Sequence, residues 1–188
     1  MRHADELETL VRGSESLMTV LRAARGLDLP DWLIFSGAVY QKVLNHLTGR
    51  PGDYGLKDYD LAYFDASDLS WKAEDRVIRR AAAELPPPLD RLVEVRNQAR
   101  VHLWFEGRFG EPYDPLSCSA EALERFVSTA NAVGVRLEAD DRLTVSAPFG
   151  LEDLFSLRLR PNPLRRSEDF RRKTAGVRER WPEVRIEA

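Results

Sequence analysis

The chain has 188 residues, of which 43% are apolar and 31% charged, with a net charge of -3; these values exclude a disordered or low-complexity chain and predict a single hydrophobic core. Its single cysteine, Cys118, excludes an internal disulfide and a thiolate-rich zinc site. The acid-bearing N-terminus "MRHADELETLVRG" is unlike a signal peptide and no segment reaches a membrane-spanning length, so the expected setting is the cytoplasm.

Leu7, Leu10, Val11, Leu17, Met18, Leu21 and Ala24 recur at helical intervals and predict an amphipathic helix over residues 4–25. "WLIFSG" reads as a short buried strand stopped at a glycine, and "AVYQKVLNHLTG" as the helix that follows. After the loop "RPGDYGLK", the segment "DYDLAYFD" alternates into a second strand over 58–64. Ser70 is placed to cap a helix through "LSWKAEDRVIRRAAAEL", which "PPPLD" ends. "RLVEVRN" predicts a third strand over 90–96, "ARVHLWFEGRFG" leans helical, and "SAEALERFV" resembles a capped helix. "AVGVRLEADDRLTVSA" predicts two strands joined at Asp140–Asp141, and "FGLEDLFSLRLRPN" a short helix closed by Pro161. A last helix over 167–180 stops at Trp181–Pro182. Between Arg158 and Arg185 ten Arg/Lys stand against four Asp/Glu, so the expected tail, 158–188, is basic and helical: a solvated face, or a surface for phosphates. The whole, 1–188, reads as one α/β domain with flanking helices.

Alternation along a strand puts Asp58 and Asp60 on one face, with α-carbons about 6.6 Å apart at about 3.3 Å per residue. Two ionised carboxylates so close repel unless a cation lies between them. Oxygen ligands without thiols favour Mg²⁺ or Mn²⁺, and Mg²⁺ completes its octahedron with waters and phosphates. Glu94, flanked by apolar residues in "LVEV", is the matching third acid if its strand neighbours 58–64; its expected burial would require a partner. Ser36, Gly37 and Ala38 form a turn between strand and helix, where free amides attract phosphate. In "EVRNQARVH", Arg96 shares the strand face of Glu94, either touching phosphates or neutralising the acids, while Asn97, Arg100 and His102 are candidates to line an acceptor pocket. Arg158, Arg160 and Asn162 are candidates to approach a triphosphate from the C-terminal side. Trp32, Trp71, Trp104 and Trp181 read as core or rim aromatics, one of them able to stack on a base.

Strand, glycine turn, helix, Asp-x-Asp strand and third acid, in that order, resemble the nucleotidyltransferase (polymerase beta-like) superfamily. "GRPGDYGLKDYDLAYFD", "VEVRNQARVHLWFEGRFG" and "APFGLEDLFSLRLRPNP" are similar to a bacterial family of nucleotidyltransferase-like proteins of unknown function, over about Trp32 to Pro182. The resemblance implies a mixed β-sheet with flanking helices, Asp58 and Asp60 as metal ligands with Glu94 as third carboxylate, and Ser36–Gly37 at the phosphate turn. It implies Mg²⁺ or Mn²⁺ as cofactor and transfer of a nucleoside monophosphate from a nucleoside triphosphate (NTP) to a small-molecule, protein or RNA acceptor, with pyrophosphate released. The chain departs from the superfamily pattern at Ala38, where a second Gly or Ser is usual, and at Glu94, where Asp is commoner. Arg96 and Arg100 join Ser36, Gly37 and Ala38 as the expected nucleotide-binding residues; a nucleotide-binding protein without transfer, or an RNA-binding subunit using the basic tail, are the alternative expectations.

Overall fold

The computed structural model describes residues 2–165 and 169–187. The elements run α1 Arg2–Arg12, α2 Glu15–Gly26, β1 Leu33–Phe35, α3 Gly37–Leu47, β2 Tyr59–Tyr63, α4 Trp71–Ala83, α5 Leu89–Leu92 and β3 Val93–Asn97. A 3₁₀ stretch, Gln98–Leu103, leads to α6 Phe105–Phe109; then follow β4 Gly134–Leu137, β5 Leu143–Ser146, α7 Glu152–Phe155, β6 Arg158–Leu159, α8 Asp169–Arg180 and β7 Arg185–Ile186. Five strands form a mixed sheet in the order β3-β2-β1-β4-β5, parallel between β2 and β3 and antiparallel elsewhere. This is the mixed-sheet α/β architecture with flanking helices that the sequence predicts.

Alternation divides the sheet into two unequal faces. Ile34, Tyr59, Leu61, Val95 and Val135 enter the large core with residues of the helices α1 to α3. The opposite face carries a smaller cluster containing Leu33, Phe35, Ala62, Leu116 and Leu123. Asp60 and Glu94 lie on this second face, since each is one residue out of step with its core-facing neighbours.

Several predicted elements are redrawn. The helix expected over 4–25 is two helices, broken at Gly13–Ser14, where the Ser14 hydroxyl turns to cap the second by accepting from the Leu17 amide. Strand 58–64 begins only at Tyr59, and 90–96 opens as the short α5 before pairing from Val93. "SAEALERFV" forms a 3₁₀ turn, Ala120–Arg125, without a side-chain cap. Ser70 does cap α4, accepting from the Ala73 amide at 3.2 Å. The basic tail is not wholly helical: Arg158–Leu159 and Arg185–Ile186 pair as parallel strands on either side of α8. Of the helix predicted over 167–180, positions 167 and 168 lie outside the described residues.

Candidate active site

Asp60 sits in mid-sheet, paired in register with Phe35 on β1 and with Glu94 on β3. Parallel pairing of β2 with β3 thus sets Glu94 directly beside it, and Asp58 lies two residues earlier, just outside the strand. The three carboxylates feel one another. The Asp60 carboxyl is pushed up to about 7, first by burial and then by the charges of Asp58 and Glu94; the Ser36 hydroxyl, hydrogen-bonded to it, and Arg96 pull it back down. Asp58 is raised too, by burial and then by Glu94, with Lys57 opposing.

Glu94 differs from its expectation. It is not buried: 52% of its side chain is exposed, and Arg96 reaches it at 3.3 Å. Its apolar neighbours Val93 and Val95 turn toward the core, and the same alternation sends Glu94 to the open face. Arg96 therefore partly neutralises the acids while also lining the cleft beside them.

At the turn, Ser36 adopts φ 66° and ψ -138° and makes no side-chain cap for α3. That backbone is strained for a residue with a Cβ, and it leaves the hydroxyl free for Asp60. Gly37 and Ala38, expected to offer amides to phosphate, are buried beneath the turn. The Gln41 side chain folds back on Gly37, its Nε2 2.8 Å from where a Cβ would stand. Only Ser36 of the three reaches the cleft.

The cleft beside Ser36 measures about 450 Å³. Among the described residues its charged lining is cationic: Arg96, Arg125, Arg165, Lys173 and Arg180, of which Arg165 also pairs with Glu111 and Arg125 with Asp114. Trp104, Phe105, Tyr113 and Phe126 form its aromatic wall, with Arg165 lying over Phe105 at 5.5 Å and Arg125 over Tyr113 at 5.7 Å. Apart from Arg96, these cations were not singled out by sequence; a visible trace of them was the i, i+4, i+7 stripe of Lys173, Val177 and Arg180 along α8.

Other candidates point elsewhere. Arg100 donates to the Leu69 carbonyl at 3.0 Å and to the Glu74 carboxylate at 2.5 Å. Glu74 is 1% exposed, so this is a buried structural pair, not a phosphate contact. Asn97 clasps the backbone of Asp65 through both its amide groups and caps the following turn at Ala99. Arg158 and Arg160 both turn to the buried Asp153, at 3.2 and 2.8 Å, and Asn162 ties down the carbonyls of Glu124 and Phe126. Trp32 and Trp181 are core, Trp71 is exposed, and Trp104 alone of the four lines the cleft.

Among the described residues, no three His, Cys, Asp or Glu side chains already form a metal cage. The donor set nevertheless fits a hard divalent cation: oxygen-only, carboxylate-rich and held against its own repulsion. Mg²⁺ is commonly bound by one or two carboxylates together with substrate phosphates, so a preformed cage is not required.

Residues 22–186 match the family model described as Nucleotidyltransferase, and the chain belongs to that family. An NMR structure reported to reveal a CCA-adding enzyme head domain is similar to it, with a TM-score of 0.76 and 22% identity over 97% of this chain and 95% of that one. At this identity the likeness establishes a shared fold. No curated protein matches the sequence. No helix among the described residues is long and apolar enough to cross a membrane.

Proposed function

We propose that this member of the nucleotidyltransferase family transfers a nucleoside monophosphate from an NTP to an acceptor hydroxyl on the acidic face of the sheet, with pyrophosphate leaving. One observation carries the reading. A mutually repelling carboxylate pair, with Asp60 raised to about 7, adjoins through Ser36 and Arg96 a cleft whose charged side chains among the described residues are all cationic.

Asp58 and Asp60 would hold Mg²⁺ or Mn²⁺, with Glu94 as third carboxylate. When bound, the ion neutralises the acids and polarises the phosphate oxygens. The chain's own residues do the rest. Arg96, Arg125, Arg165, Lys173 and Arg180 orient the triphosphate, taking the role that amides of a glycine turn fill in other phosphate sites. The Ser36 hydroxyl favours the ionised form of Asp60 against burial and its acidic neighbours, and the aromatic wall gives a base an apolar surface to stack on. Glu94, exposed at the edge of the face, is positioned to accept the proton of the attacking hydroxyl. The likeness to a CCA-adding head domain makes an RNA 3′ end the first acceptor to test, ahead of a small molecule or protein.

The test is pyrophosphate release from each NTP with Mg²⁺ or Mn²⁺ and candidate acceptors, beside thermal stabilisation by the same NTP. Asp58→Ala with Asp60→Ala should abolish release and remove the metal-dependent part of the stabilisation. Release that survives the double change refutes the assignment. Stabilisation without release under any acceptor would favour the nucleotide-binding alternative.

A further inference from the structure

The two aspartates of the acidic face are held by different means. Asp60 is fixed by a strand on either side. Asp58 lies outside both ladders and is delivered by the 49–57 loop, so its position is only as definite as that loop. Lys42 and Ser16 tie the loop at Asp53, and α3 and the end of α8 hold the stretch nearest Asp58 together. Asn45, fully buried, donates to the carbonyls of Gly52 and Tyr54, each at 3.0 Å, and its own oxygen accepts from the Trp181 indole at 2.8 Å. Trp181, also fully buried, meets Tyr54 edge-on and packs against Gly55 so closely that a Cβ there would stand 2.8 Å from the ring. Gly55 also has φ +77°, so both space and backbone demand glycine.

Arg180 joins this anchor to the cleft. Its Nη1 donates to the Gly55 carbonyl at 3.1 Å, three residues before Asp58, and its guanidinium lies 4.8 Å over the Trp181 ring. The same side chain lines the cleft and faces the Tyr40 hydroxyl. A guanidinium has five N–H donors in a rigid fork. Two are used on the carbonyls of Gly176 and Gly55, which leaves others for an anion. An anion drawn to those donors restricts the guanidinium and so the carbonyl it holds.

We propose that Arg180 and Trp181 form a relay through which a polyphosphate in the cleft fixes the 49–57 loop and thereby sets Asp58 against Asp60. The inference rests on the cleft binding polyphosphate, as the proposed function requires, and assigns Arg180 and Trp181 as positioning residues for Asp58.

Amide hydrogen exchange of the full chain, without divalent metal and with or without inorganic tripolyphosphate, tests the relay free of any direct bond between metal and phosphate. In the wild type, tripolyphosphate should slow exchange at residues 53–58 about tenfold and leave β3 unchanged. Arg180→Gln should bind tripolyphosphate less than tenfold more weakly by calorimetry, because four other cations remain, yet show under twofold protection of the loop at saturation. Arg180→Lys, which keeps charge without the fork, should behave like Arg180→Gln, and serves if the glutamine variant does not fold. Trp181→Phe, which removes both the indole N–H donated to Asn45 and the ring edge packed on Gly55, should speed loop exchange several-fold with tripolyphosphate affinity unchanged. Full loop protection in either Arg180 variant, or wild-type binding without protection, overturns the relay alone. Absence of binding in the wild type overturns it together with the reading beneath it.

Discussion

Replacing Asp60 by Asn should make the protein more stable while abolishing transfer. The Asp60 carboxyl, ordinarily near 3.8, is pushed up to about 7, so the folded state binds this proton more tightly than the unfolded chain does. Stability therefore receives no penalty from this group below pH of about 4, declines as pH rises from about 4 to about 7, and levels off above. At about 1.4 kcal/mol per tenfold, the full displacement corresponds to about 4 kcal/mol. The part contributed by Asp58 and Glu94 is screened by solvent, and about 2–3 kcal/mol is the expected gain on neutralisation at pH 8. For a chain of this length that is roughly 5–10 °C in Tm. Melting curves at pH 5 and pH 8 in a chelator would measure it. Asp60→Asn should exceed the wild type at pH 8 and do so by roughly 40% as much at pH 5, and saturating Mn²⁺ should stabilise the wild type alone. Equal stability at pH 8, or a difference that does not change with pH, would refute the account of a strained carboxylate cluster.

Arg100→Ala, by stranding the 1%-exposed Glu74 carboxylate, should cost about 3–5 kcal/mol in denaturant melts. Tripolyphosphate affinity measured below the lowered transition should be unchanged, which separates this arginine from Arg96. Ser36→Gly should relieve the positive-φ backbone and stabilise by about 1 kcal/mol at pH 5. The gain should shrink at pH 8, because Asp60 loses the hydroxyl that lowers its pKa; melts at the two pH values give both numbers.

The acidic face was legible because its pattern is short-range. Period two in "DYDLAYFD" sends Tyr59 and Leu61 one way and Asp60 the other, and both directions hold in the structure. The neighbouring of β2 and β3 is a matter of topology: the sequence offers it only as a condition, and the parallel pairing of the two strands supplies it. The two arginines of "EVRNQARVH" show where such reading fails. Arg96 keeps the strand face of Glu94, but the ladder ends at Asn97, whose side chain caps a 3₁₀ turn, and Arg100 is swung round to Glu74. A strand's last residue depends on what its neighbour can pair, and four residues of sequence do not encode it.

The cations of the cleft were illegible for the complementary reason. Arg96, Arg125, Arg165 and Arg180 come from four separate stretches of chain and meet only because β3, the 120–126 segment and α8 close around Ser36. The basic excess of residues 158–188 allowed a solvated face or a phosphate surface, without saying which charges would serve either. Arg158 and Arg160 are consumed by the buried Asp153, and Arg172 by Asp169. Lys173 and Arg180, seven residues apart on one face of α8, lie on the side that borders the cleft. A charge on a basic tail is thus assigned by the helix face it occupies and by the acids already buried nearby. On the proposed function, that is also why the anion-holding role falls less to the turn of Gly37 and Ala38, buried under Ser36, than to cationic side chains contributed from the far end of the chain.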